Sequence, residues 1–126
     1  MFAACLFMHL IGDYVFQTPF MATAKQRSYW EQEAKKMDID GTEHKYDYIA
    51  ILAVHSIAWT FCIMLPMVVC SWIVTGHIPA SFISAFIWNA AIHGIVDDQK
   101  ANKYAINLVE DQAIHFLQIT VTITIL

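Results

Sequence analysis

The chain alternates four long apolar segments with three more polar connections, and this alternation constrains its fold more than any other sequence feature. Each apolar segment approaches the ~20 residues that an α-helix needs to cross the ~30 Å hydrocarbon core of a membrane. Backbone inside a membrane must satisfy its own hydrogen bonds, so each segment is predicted to be helical. The predicted spans cover residues 2–22, 48–74, 80–96 and 106–126. The sequence therefore predicts one all-α domain over residues 1–126, built as a four-helix transmembrane bundle.

The charged residues are few, and all the basic ones lie in two of the three connections. They make up 14% of the chain, against roughly 25% in ordinary soluble domains. All seven Lys and Arg residues fall within 25–45 and 100–103, which leaves no broad basic face for nucleic acid. By the positive-inside rule, both charged connections are predicted to face the cytoplasm and both termini the outside. The predicted partner is therefore the lipid bilayer, with no nucleic acid.

The first connection, residues 23–47, is predicted to lie on the cytoplasmic side of the membrane. Residues 24–37 have the composition of a surface helix that rests against the lipid headgroups through Tyr29 and Trp30. Asp40-Gly41 is typical of a turn. An interfacial helix is therefore expected between the first two spans.

Histidines and carboxylates recur inside the predicted spans, where ionisable groups are costly and are functional candidates by default. In three spans a His and an Asp lie four residues apart, so that both project from one helix face. These pairs are His9/Asp13, His93/Asp97 and Asp111/His115, and the second span adds His55. Measured at 1.5 Å per residue from the cytoplasmic ends, Asp13, His55, Asp111 and His115 lie roughly 8–14 Å deep. His93 lies roughly 5 Å deep, Asp97 is near the interface, and His9 is deepest at roughly 20 Å.

Such a cluster of imidazoles and carboxylates suits a divalent transition metal such as Zn, Mn or Fe. The predicted ligands are His9, Asp13, His55, His93, Asp97, Asp111 and His115. Asp13, Asp97 and Asp111 are also candidate catalytic groups, because a carboxylate outside the ligand set can act as a base. Gln17, Asn89 and Gln112 are predicted to orient the ligands by hydrogen bonds. The simpler alternative is that the His/Asp pairs are charge-neutralised and merely hold the helices together.

The pattern resembles an uncharacterised family of small integral membrane proteins from bacteria and phages. The resemblance rests on His9-Leu-Ile-Gly-Asp13-Tyr-Val-Phe-Gln17, His55, His93-x3-Asp97 and Asp111-Gln112-x2-His115, and it extends over nearly the whole chain. It implies a location in the bacterial inner membrane and a role for these positions, but no particular reaction.

Three functional hypotheses follow from these observations. The first is a metal-dependent hydrolase that acts on a lipid or lipid-linked substrate from the cytoplasmic side. The second is a proton or cation transporter, because chains of Asp and His residues also serve conduction, with a homo-oligomer completing the path between subunits. The third is a non-catalytic membrane effector of the phage type, which leaves the repeated His/Asp spacing unexplained.

Overall fold

The computed structural model describes residues 1–40 and 42–126, and within them the chain is all-α, as predicted. The helices are α1 (Phe2–Leu10), α2 (Pro19–Ala24), α3 (Arg27–Met37), α4 (Asp47–Thr75), α5 (Ser81–Ala101) and α6 (Leu108–Ile125). A π-helical segment, Ile11–Val15, continues α1 by one wider turn. The β-branched run at residues 120–125 is helical, and its three threonine hydroxyls donate to carbonyls one turn earlier in α6. The turn predicted at Asp40-Gly41 includes a residue outside the described ranges.

Helices α1, α4, α5 and α6 form a bundle in which α1 contacts α4 and α6, and α5 contacts the same two helices. Neighbouring helices run antiparallel. Met1, Thr75 and Leu126 line one cavity, so both termini lie at the same end of the bundle as the α4–α5 turn. The opposite end carries α2 and α3. This arrangement places the two charged connections together, at one end.

The first predicted span is interrupted in the structure. The Thr18 hydroxyl accepts a hydrogen bond from the Met21 backbone N–H (3.2 Å), and Pro19 begins α2. A threonine cap followed by proline at the first helical position is a strong signal for a new helix. The apolar helix therefore ends at Val15, and α2 starts in a new direction after residues 16–18.

The segment between the first and second spans packs back on the bundle. The predicted surface helix begins at Arg27, whose backbone N–H donates to Asn102 Oδ1 (2.7 Å). The Asn102 amide in turn donates to the Lys25 carbonyl (3.1 Å), and the Trp30 indole donates to the Ala24 carbonyl (2.7 Å). These bonds hold the α2–α3 corner against the end of α5.

The bundle interior has a polar part and an apolar part. The polar part includes all the histidines of the predicted spans, together with Asn89, Thr60, Gln118 and Thr122. The apolar part is a core that includes Ile63, Met64 and Phe82. Large apolar side chains such as Phe7, Ile73, Ile83 and Leu117 point outward and are more than 60% exposed, whereas the apolar stripe of a soluble helix faces the core.

One helix of the described residues, α4, is long and apolar enough to cross a membrane by length and composition. The four-span prediction is therefore supported for that helix only. α1 with its π-helical segment is too short, since it stops at Val15. Helices α5 and α6 have a lower mean hydropathy, because they carry buried polar groups and, at one end, charged residues such as Asp98, Lys100 and Glu110.

Candidate metal centre

The histidines and carboxylates predicted as a cluster meet in the interior of the bundle. His9, His93, Asp111 and His115 are fully buried, and His55 and Asp97 are 2% exposed. The Asp13 side chain retains 12% exposure toward the end that carries α2 and α3. Four helices contribute these side chains, when the π-helical segment is counted with α1. Three of them supply a His and an Asp four residues apart on one face, and α4 supplies His55 alone.

One group of candidate ligands spans α5 and α6. The Nε2 atom of His115 lies 3.8 Å from Oδ1 of Asp97 and 3.4 Å from Oδ1 of Asp111. His93 Nε2 lies 4.0 Å from the same Asp97 oxygen. Within the set of His93, Asp97 and His115, one ligand atom from each residue lies within 4.8 Å of the others.

A second group joins α1, α4 and α5 and shares His93 with the first. It comprises Asp13, His55 and His93, again with ligand atoms within 4.8 Å of one another. His55 Nε2 is 3.7 Å from Asp13 Oδ1 and 3.4 Å from Asp97 Oδ2. Asp97 thus presents one oxygen to each group. Because a neutral imidazole has one lone pair, His93 can bind an ion in only one of the two groups at a time.

Several buried polar atoms of the cluster have no hydrogen-bond partner among the described residues. They include both ring nitrogens of His93 and His115, together with Asp13 Oδ1 and Asp111 Oδ1. A buried polar group without a partner costs ~1–3 kcal/mol, and native proteins rarely leave several together. Such a concentration of unpartnered ligand atoms fits a bound ion. The donor set of nitrogens and carboxylate oxygens is the one that divalent transition metals prefer.

His9 is part of the cluster, but both its ring nitrogens are already used. The Trp59 indole N–H donates to His9 Nδ1 (2.8 Å). Nε2 therefore carries the proton and donates to Gln112 Oε1 (2.9 Å). In this arrangement His9 has no lone pair for an ion, so the geometry does not bring this predicted ligand into either ligand group.

The three amides predicted to orient the ligands differ in their positions. The Gln112 amide donates to Asp111 Oδ2 (3.1 Å) and Asp13 Oδ2 (3.4 Å), so it contacts the cluster directly. The Gln17 carbonyl oxygen accepts from Lys25 and reaches the cluster through that lysine. Asn89 instead donates to Thr122 Oγ1 (2.9 Å), one turn away from the histidines, and does not orient them.

Sequence reasoning missed three residues of the centre, namely Trp59, Lys25 and Lys100. The Trp59 ring stacks on His93, with centroids 4.1 Å apart. Trp59 lies four residues after His55 on α4, so the two side chains share a helix face, and this spacing could have predicted that Trp59 faces the cluster. Lys100 follows Asp97 at a spacing of three, but Lys25 carries no sequence signal because its position depends on how α2 folds back.

Both lysines pair with carboxylates of the cluster. Lys25 Nζ donates to Asp97 Oδ2 (2.6 Å) and to Gln17 Oε1 (2.7 Å), and this lysine is 6% exposed. Lys100 donates to Asp111 Oδ2. Burial by itself lowers the pKa of Lys100, but the hydrogen bond and the negative charge of Asp111 raise it above the usual 10.5. Each lysine thus holds one oxygen of its carboxylate and leaves Oδ1 directed at the histidines.

Comparisons with known proteins place the chain in a family without assigning an activity. No curated protein and no solved structure matches the sequence. A family model described as "Protein of unknown function (DUF3307)" matches residues 1–126. The resemblance to an uncharacterised family is therefore confirmed. Because the match covers every residue, the chain belongs to the DUF3307 family.

Proposed function

We propose that this chain is an integral membrane protein that binds a divalent metal ion inside its helix bundle and uses it in hydrolysis. The proposal rests on one observation above all others. The ring nitrogens of His93 and His115 are buried and have no hydrogen-bond partner among the described residues, and the Nε2 atom of each lies within 4.0 Å of Asp97 Oδ1.

The membrane part of the proposal is supported by the apolar exterior of the bundle. Outward-facing side chains such as Ile83 on α5 and Leu117 on α6 are more than 60% exposed, which is unfavourable in water. In a membrane the same side chains would contact lipid, and α4 would cross the hydrocarbon core. We propose that the end with α2 and α3 faces the cytoplasm of a bacterial inner membrane, since that end holds all the Lys and Arg residues.

The spacing of the ligand atoms supports a metal ion. A tetrahedral ion with bonds of ~2.0–2.1 Å has ligands about 3.4 Å apart. The nitrogen–oxygen separations around Asp97 and His115 range from 3.4 to 4.0 Å, so small side-chain shifts suffice. In this proposal His93, Asp97 and His115 hold the ion, and Asp111 Oδ1, 3.4 Å from His115 Nε2, is a candidate fourth ligand. Zn, Mn and Fe all accept this donor set.

The remaining carboxylate, Asp13, is placed for a role in proton transfer. His93, Asp97 and His115 would hold a divalent ion near this carboxylate, and the ion would supply Lewis acidity. Asp13 Oδ1 has no hydrogen-bond partner in the part of the chain that the structure describes, and the Asp13 side chain is the most exposed of the carboxylates in the cluster. The carboxylate accepts the proton of the attacking water, while Gln112 holds its other oxygen in place. The proposed substrate is an amphiphile, whose reactive group enters from the α2–α3 end.

Proton or cation transport is the second candidate, and one observation favours it. Beyond the histidines the buried interior continues with Asn89, Gln118 and Thr122, which are linked by hydrogen bonds. The polar interior then ends at a core of apolar side chains that includes Met64, Met67 and Phe82. A single chain therefore offers no continuous polar path, and transport would require a homo-oligomer.

Elemental analysis of the purified protein tests the metal site. We expect about one ion per chain after purification in detergent, and a lower thermal midpoint after chelation because a ligand that binds only the folded state stabilises it. His93→Ala and His115→Ala should each lose the ion. His77→Ala is the matched control, since His77 is an exposed residue of the α4–α5 turn. A metal-free protein that is indifferent to chelation would overturn the proposal.

A second measurement separates the candidate functions. Hydrolysis predicts release of product from lipid substrates by the metal-loaded protein, and loss of this activity in Asp13→Asn. Transport predicts a proton or cation flux in proteoliposomes that the same variant abolishes. A protein whose function survives alanine at His55, His93, Asp97 and His115 would instead be a non-catalytic membrane effector.

A further inference from the structure

A polar cavity of about 140 Å³ opens onto the cluster at the α2–α3 end. Its polar lining consists of Asp13, Gln17, Lys25, Asp97, Lys100 and Gln112. Because Asp13 and Asp97 line it, this cavity offers a route by which a molecule could reach the proposed ion.

We propose that this cavity binds a phosphoryl group, held between the ammonium groups of Lys25 and Lys100, at the head of an amphiphilic molecule. The inference rests on the proposed function, because the anion is expected to bind only when the cluster holds its ion. It adds the chemical class of the substrate and the residues that recognise it.

The charges of the site make anion binding depend on the metal. The carboxylates of Asp13, Asp97 and Asp111 outnumber the two ammonium groups, so with neutral imidazoles the site carries one net negative charge and repels an anion. A divalent ion reverses the sign and leaves one net positive charge. Because Asp97, Asp111 and Lys25 are buried, the effective dielectric constant around them is lower than in water, and such a change in charge has a strong effect.

The lysines keep donors available for an anion. An ammonium group has three N–H donors. Lys25 uses two of them, on Asp97 and Gln17, and Lys100 uses one, on Asp111. Three donors therefore remain on two side chains that line the same cavity. A phosphoryl group, with three strong acceptor oxygens, can bind donors from both lysines and the ion together.

The rim of the cavity indicates what the phosphoryl group is attached to. Tyr14 and Leu108 complete the cavity lining and are 63% and 58% exposed. Val15 and Val109, their neighbours in sequence, are also exposed, so the rim continues into the apolar exterior of the bundle. A molecule with its phosphoryl group in the cavity would pass over apolar side chains as it leaves. An acyl or isoprenoid chain fits this surface better than a sugar or nucleoside does.

The test uses the full-length protein in a maltoside detergent, which contains no phosphate. The protein is loaded with Mn²⁺, and inorganic phosphate is titrated while the paramagnetic broadening of its ³¹P signal is measured. We expect saturable broadening, and roughly tenfold weaker phosphate binding in Lys100→Met, as the loss of one charge-assisted hydrogen bond implies. Mn²⁺ stoichiometry should be unchanged in that variant. Lys103→Met is the matched control, because Lys103 pairs with Asp98 outside this cavity.

The possible failures are distinguishable. If the protein binds no Mn²⁺, the proposed metal centre is wrong, and this inference falls with it. If Mn²⁺ binds but Lys100→Met and Lys103→Met bind phosphate as the unaltered protein does, the metal centre stands and the phosphoryl site is wrong.

A second arm identifies the source of the phosphoryl group. Binding of phosphatidic acid in mixed micelles is compared with binding of water-soluble glycerol phosphate. We expect the lipid to bind at least tenfold more tightly, because its chain buries apolar surface against the rim. Leu108→Ser should weaken the binding of the lipid but not the binding of inorganic phosphate. Equal binding of the two esters would overturn the assignment to an amphiphile.

Discussion

The Trp59 indole stacks on the His93 imidazole with ring centroids 4.1 Å apart and an angle of 17° between the ring planes. The same indole donates its N–H to His9 Nδ1. Trp59 therefore orients two histidines at once, one by contact with its face and one by a hydrogen bond. His93 belongs to both groups of candidate ligands, so this contact positions the residue on which the metal proposal depends most.

Trp59→Phe should separate these two roles. Phenylalanine keeps an aromatic face for His93 but cannot donate to His9, whose Nδ1 then lacks a partner in a buried position. We expect a loss of about 1–3 kcal/mol in the free energy of unfolding, as for other buried groups left unpaired. Chemical denaturation in detergent measures this loss. Trp72→Phe is the control, because Trp72 is exposed, and an equal loss in both variants would contradict the assigned role of the hydrogen bond.

Gly12→Ala should also disturb the position of Trp59. A Cβ at this position would lie 3.0 Å from Trp59 Cδ1 and 3.4 Å from its Cα, so the ring must move. We expect a loss of about 1–3 kcal/mol in unfolding free energy, as for other overpacked interiors.

Gly94→Ala is the matched comparison for Gly12→Ala. Its Cβ would meet the Ser56 hydroxyl at 2.9 Å, and this small group can rotate away at the cost of its bond to the Leu52 carbonyl. The better helix propensity of alanine, about 1 kcal/mol, offsets that cost, so we expect little net change. A larger loss at Gly94 than at Gly12 would contradict the packing described for Trp59.

Lys25→Met should destabilise the metal-free protein strongly. Removal of the ammonium group leaves the Asp97 carboxylate buried without its countercharge, which typically costs about 3–5 kcal/mol. Addition of Zn²⁺ should recover part of that loss, since the ion supplies the missing positive charge. The measurement is the unfolding free energy with and without Zn²⁺.

Arg27→Met provides the control for Lys25→Met. Arg27 pairs with Glu31, and both side chains are more than half exposed, so the pair should contribute at most about 1 kcal/mol. If the two variants lost the same unfolding free energy, Lys25 would not be the countercharge of the Asp97 carboxylate.

The pair between Lys100 and Asp111 should make stability depend on alkaline pH. The folded protein raises the pKa of Lys100 above 10.5, so the pair stabilises the fold fully below that pH and less as the pH rises through the raised pKa. The difference in unfolding free energy between the unaltered protein and Lys100→Met should therefore shrink as the pH is raised from about 8 to about 11. A difference that stayed constant over this range would show that the ammonium charge is not involved.

Much of the fold could be predicted from the sequence, and the exceptions have identifiable causes. The prediction of helices is confirmed, including α6, whose β-branched run satisfies its hydroxyls within the helix. The first span was predicted as one segment because its hydropathy is continuous. Thr18 and Pro19 together form a helix-start signal that outweighs the continuous apolar pattern.

The candidate site was predicted in part. Residues four apart on one helix project from the same face. The sequence alone therefore predicts that the two members of each of the three His/Asp pairs share a helix face. The hydrogen bonds of His9 could not, because they depend on Trp59 and Gln112, which come from two other helices. The same holds for Asn89, whose side chain finds Thr122 on the neighbouring helix instead of a histidine.

The sequence by itself determined that the chain is helical and which residues on each helix share a face, since both depend on local periodicity. Only the tertiary structure decided which of these residues meet, which nitrogens stay unpartnered and where Lys25 lies. Those outcomes depend on how four helices pack and how α2 folds back on the end of the bundle. Helix packing is decided by side-chain shape across long sequence separations, which no local spacing encodes.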